Sequence, residues 1–162
     1  MKENDFMVEY NAIFERSLVL SVISRSLGFV SIQDLLDKKK CNQRDIFEYG
    51  MMLVLDGRVP EMIDKILTNI INLETDKEKK ILKNMQKDVV LSIQQGTPSE
   101  QIMWIMNSYV NIELDEATRK YNEINEFISK EMTNELNKIQ ERENDIYKQV
   151  SEKIFDKYNK MK

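Results

Sequence analysis

Two places in this chain set a reactive side chain beside a feature that would tune it. Cys41 follows Lys38-Lys39-Lys40, a basic run that would favour a thiolate and hence a nucleophile. Asp56 precedes Gly57 in "LVLDGRVPEM", a carboxylate at a tight turn where a general base is sometimes held. Neither has a partner in the sequence. The chain contains no His and a single Cys, so Cys41 lacks an imidazole base, and neither His ligation nor a Cys-rich zinc site can be built. There is no glycine-rich phosphate loop, GxSxG elbow, EF-hand loop or HExxH. Carboxylates recur on nearly every amphipathic stretch, which is the pattern of solvated faces. The expectation is a non-enzymatic protein with no cofactor or metal, with Cys41 an incidental loop thiol and Asp56 a turn residue.

Composition narrows the class further. The 162 residues are 41% hydrophobic and 32% charged, with a net charge of −4 and a mean hydropathy of −0.51. That balance suits one water-soluble domain, with or without an appended helix, and gives no general attraction for nucleic acid or an anionic membrane. The longest apolar runs, such as Met51–Leu55, fall far short of the roughly 20 residues that span a bilayer. MKENDFMVEY has no signal-peptide h-region, and a lone Cys suits a reducing compartment. Localisation is therefore expected to be cytoplasmic.

Four Gly and two Pro leave little material for turns, so the fold class is all-α. Phe6, Tyr10, Ile13, Phe14, Leu18, Val22, Ile23 and Leu27 predict an amphipathic helix over about 5–30. A weak helix around Ile32–Asp37 follows, with Lys38-Lys39-Lys40 as its basic C-terminal cap or a solvated loop, and then a helix over Arg44–Leu55 with Asp45 in its first turn. Gly57 suits the left-handed residue that ends a helix, and Pro60 the first turn of the next. A strand–turn–strand hairpin is the rival for this segment, but Pro60 and the three–four spacing of Met62, Ile63, Ile66, Leu67, Ile70 and Ile71 oppose it. Thr75-Asp76-Lys77-Glu78 matches a capping box, with Thr75 as the cap. Past Gly96, Thr97-Pro98-Ser99-Glu100 repeats it with Pro98 at the first helical position. The helix holding Ile102 to Tyr109 is apolar on most sides, and so is expected to be central or covered by a partner.

From about Leu114 to Lys162 there is neither Gly nor Pro, and apolar residues recur with a mean spacing close to 3.6. A continuous helix there would be about 70 Å long, more than a small globule can cover. The expected division is a compact multi-helix domain at 1–112 and a long C-terminal amphipathic helix at 113–162. Ile139, Ile146, Val150 and Ile154 form the distal seam for a second copy or a partner's helix. A frayed, charged tail is the alternative.

One pattern is more specific than helix periodicity. "SRSLGFVSIQDLL" (24–36) followed by "RDIFEYGMMLVLDGRVPEMIDKIL" (44–67) resembles the cytoplasmic segment of MotA-type stator subunits of the bacterial flagellar motor and their TolQ/ExbB relatives. Arg25, Gly28, Phe29, Val30, Ser31 and Ile32 match the first block; Asp45, Phe47, Gly50, Leu53, Val54, Asp56, Gly57, Pro60, Glu61, Ile63 and Ile66-Leu67 match the second. The likeness covers about residues 20–74. It departs at Gln33, where a Glu is usual, and at Val59, where the family has a helix-capping Asp. The transmembrane helices that carry the proton path in that family have no counterpart here, so ion conduction is not implied.

What the resemblance implies is an accessory or scaffold component of the flagellar motor, binding stator or rotor proteins at the inner face of the membrane without spanning it. The contact candidates are the charges of the matching segment, expected to be exposed: Arg25, Asp34, Asp37, Lys38, Lys39, Lys40, Arg44, Asp45 and Glu48. Ordinary solvated charges are the plain alternative for each. At the level of function, the alternative is a helical coiled-coil adaptor unrelated to motility.

Overall fold

The computed structural model describes the backbone of residues 3–161 and the side chains of 5–154. Among them there is no strand. Helix α1 (Glu3–Leu27) leads into a 3-10 helix (Phe29–Leu35), followed by α2 (Lys38–Asn42), α3 (Ile46–Leu55), α4 (Pro60–Ile71), α5 (Lys77–Gln94), α6 (Ser99–Asn107) and α7 (Leu114–Met161). The chain divides into two compact units, 1–125 and 126–162.

In the first unit α5 is the central element. Its buried row Leu82, Met85, Val89, Val90 and Ile93 faces α3, α4, α1 and α6 in turn. Tyr10, Phe14, Leu18 and Leu20 of α1, Met51 of α3, Ile63 and Leu67 of α4, and Met103 of α6 complete the core. Gly50 lets α3 approach closely: a Cβ there would sit 2.9 Å from Cγ2 of Val90 and 3.1 Å from Cδ1 of Leu67.

Helix boundaries follow local chemistry. Gly57 has φ 72°, and α3 ends with Gly57 N donating to Val54 O and Arg58 N to Leu53 O, the paired bonds of a Schellman motif. Gly96 repeats the arrangement at the end of α5, with φ 72°, Gly96 N donating to Ile93 O and Thr97 N to Ser92 O. Pro60 opens α4 as expected, and Asp56 is the half-turn residue before Gly57.

Several expectations need correction. Asp76, not Thr75, caps α5: its Oδ1 accepts from Glu78 N (2.9 Å) and Lys79 N (3.1 Å). Glu74 supplies the reciprocal bonds, accepting from the backbone N–H of Thr75 and Asp76. Pro98 stands just before α6, and no side chain caps that helix. Ser99 points inward instead, its hydroxyl 2.9 Å from that of Ser21 on α1. Lys38-Lys39-Lys40 does not end the preceding helix; Asp37 accepts from Lys39 N and Lys40 N and starts α2 there. The side of α6 carrying Trp104 is open, with that ring 50% exposed while Ile102, Met103 and Met106 are buried. The compact first unit also runs past 112. Ala117 is buried, and Tyr121 and Ile124 pack on the core, so the first turns of α7 belong to that unit.

Candidate functional site

The 3-10 helix, α2 and the start of α3 bring the charges of the 34–48 stretch together around one buried carboxylate. Asp45 caps α3, its Oδ1 accepting from Phe47 N (3.1 Å) and Glu48 N (3.0 Å). That turn sends the Glu48 side chain inward. Glu48 is only 3% exposed, so it is not the surface contact group its sequence position suggests. Its Oε1 accepts from Nε of Arg16 at 2.6 Å, and its Oε2 from the backbone N–H of Asp37 at 3.0 Å. Arg16 also donates from Nη2 to the carbonyl of Leu35 at 2.7 Å. One ion pair thus ties α1, the end of the 3-10 helix and α3 together, a buried charge held by both a countercharge and hydrogen bonds.

Arg16 escaped sequence reading because it lies on the edge of the α1 stripe among Ile13, Phe14, Ser17 and Leu18. The available signal was weak: a single cation interrupting a buried face needs an anion somewhere.

Of the other candidates, Arg25 donates to the carbonyl of Gly96, joining the end of α1 to the turn before α6. Asp37 and Asp45 are occupied as helix caps. Asp34, Lys38, Lys39, Lys40 and Arg44 are exposed, and none of them forms an ion pair among the described residues. Arg44 has φ 57°, the one left-handed non-glycine position among the described residues, and it turns the chain from α2 into α3. The exposed charges of this stretch outside any ion pair are therefore Asp34, Lys38, Lys39, Lys40 and Arg44.

Cys41 lies inside this region and is not a loop thiol. It is buried on α2, and its Sγ donates to the carbonyl of Glu48 at 3.3 Å. Burial, then the nearby carboxylates of Glu48, Asp37 and Asp45, push the thiol pKa up. The adjacent lysines are exposed, so the lowering that a basic run could give is not realised. A cavity of about 200 Å³ lies beside Glu48, lined in part by Glu9, Arg16, Lys40, Asp45 and Gln86. No group of three or more His, Cys, Asp or Glu residues is arranged to hold a metal among the described residues.

The second candidate surface is the distal part of α7. Ile139, Ile146, Val150 and Ile154 are all exposed there, together with Leu136 and Tyr147. No helix among the described residues is long and apolar enough to cross a membrane. Comparisons with protein-family models, with curated proteins and with solved structures give no match for this chain.

Proposed function

We propose that this chain is a non-enzymatic binding protein, an accessory or scaffold component of the bacterial flagellar motor. In this reading it docks onto stator or rotor proteins through the exposed charges between the two MotA-like blocks. The observation that carries the reading is the order and spacing of those blocks, Arg25–Ile32 and Asp45–Leu67. Their geometry is compatible with it. Gly50 and the Gly57–Pro60 turn shape a close α3–α4 pair on α5, while Asp34, Lys38, Lys39, Lys40 and Arg44 stand free between the blocks. Mixed charges on a rigid turn steer and orient a partner more than they hold it. Association with the inner membrane would then come through those partners.

A second reading is favoured by a separate observation, the exposed aliphatic row on distal α7: a helical adaptor unrelated to motility. A deletion strain separates the two. Impaired swimming, with an altered motor seen in situ, supports the motor assignment. Full swimming with intact motors removes it and leaves the adaptor.

A further inference from the structure

We propose that the distal part of α7 pairs antiparallel with the same segment of a second copy of this chain. This goes beyond the motor reading and does not depend on it. Leu136, Ile139, Ile146, Val150 and Ile154 are each about half exposed or more and recur at intervals of 3, 7, 4 and 4, so they share one face of the helix. An exposed aliphatic row of this kind marks an interface.

Charge identifies the occupant and its direction. Residues 126–145 hold six acidic and three basic side chains, a net −3; residues 146–162 hold two acidic and five basic, a net +3. A parallel copy would set −3 against −3 and +3 against +3. An antiparallel copy sets each half against its opposite, and one patch serves both chains, as a two-fold axis requires. The helix dipole does not account for the acidic half, because its influence fades within the first turn and α7 starts at Leu114, well before residue 126.

The sign change between Asp145 and Ile146 places the two-fold axis there. Glu143 is the polar break in the aliphatic row. Glu135 and Lys138 already pair within the helix at 2.6 Å and leave the balance between the halves unchanged.

The test uses the full chain. Sedimentation equilibrium of the parent protein should show a dimer. Ile146→Glu should raise its dissociation constant roughly 100-fold or more while helical content and the melt of the first unit stay unchanged. The double substitutions E135K/E143K and K153E/K157E should each weaken the dimer at least about tenfold, and the two sets combined in one chain should restore it. With Cys41→Ser and a spin label at Asn134→Cys, the two labels of the dimer should lie about 35 Å apart along the axis. A chain monomeric at about 100 µM overturns the proposal. So does a dimer that survives Ile146→Glu, that is not restored by the combined reversal, or whose labels show no axial separation.

Discussion

Nε of Arg16 donates to Oε1 of Glu48 at 2.6 Å across 32 residues of sequence, and the carboxylate end of this pair is almost fully buried while the guanidinium is 36% exposed. The two ends are therefore not equivalent. Removing Arg16 strands a carboxylate away from water, whereas removing the carboxylate leaves a guanidinium that solvent can still reach.

Arg16→Met should accordingly destabilise the first unit more than Glu48→Gln does. The expected costs are roughly 3 kcal/mol for the first and about 1 kcal/mol for the second, which keeps an acceptor for Asp37 N–H. Urea unfolding of both variants checks the order. Equal and small effects would mean that the pair does not organise the α1–α3 contact.

Two glycines of the family-like block should resist substitution for different reasons. Gly57 has open space around it but φ 72°, so Gly57→Val should cost roughly 1–3 kcal/mol through backbone strain alone. Gly50 has an ordinary helical backbone, and Gly50→Ala should cost about 1–3 kcal/mol by pressing a methyl into Val90 and Leu67. Asp56→Asn should change little. Thermal melts rank the three, and a Gly57→Val protein that melts like its parent would contradict the turn described here.

Glu74 gives the fold a dependence on acid. The side-chain bond from Lys83 at 2.7 Å, joined by the N–H groups of Asp76 and Thr75, holds its pKa down at about 2 from an ordinary 4.5. Between those two values the unfolded chain takes up a proton that the folded chain refuses, so stability rises with pH across that window. The contribution is fully present above about pH 4.5 and is lost as pH falls through about 2. Glu74→Gln should flatten the acid limb of a stability–pH curve without altering stability trends above pH 6. An unchanged acid limb would show that other carboxylates dominate it.

Much of this fold is legible in the sequence because its signals are local. The α3–α4 turn follows from Gly57 and Pro60, and the α5 terminus from Gly96, since each acts within one turn of helix. The errors arise where a local signal meets a distant partner or an equally good neighbour. Thr75 and Asp76 both suit a cap, and the choice fell to Asp76 because Glu74 supports that geometry. Glu48 reads as a surface charge until Arg16, on another helix, turns out to compensate its burial. Cys41 reads as an incidental loop thiol beside three lysines, but α2 buries it near the carboxylates of Glu48, Asp37 and Asp45. The distal row of α7 was readable from its spacing, whereas the open face around Trp104 on α6 was not, because an apolar residue carries no mark of which side stays uncovered.

The most direct test of motor docking is the swimming of a strain carrying K38E/K39E/K40E, measured beside the melt of the purified variant. The three lysines are exposed, and the substitution takes the local charge from +3 to −3. Cys41 and the Arg16–Glu48 pair beneath them are left in place. The account predicts impaired swimming at a normal protein level with a melt close to that of the parent, and partial rescue by a compensating charge on the motor protein that it contacts. Normal swimming at a normal protein level would contradict docking through this surface.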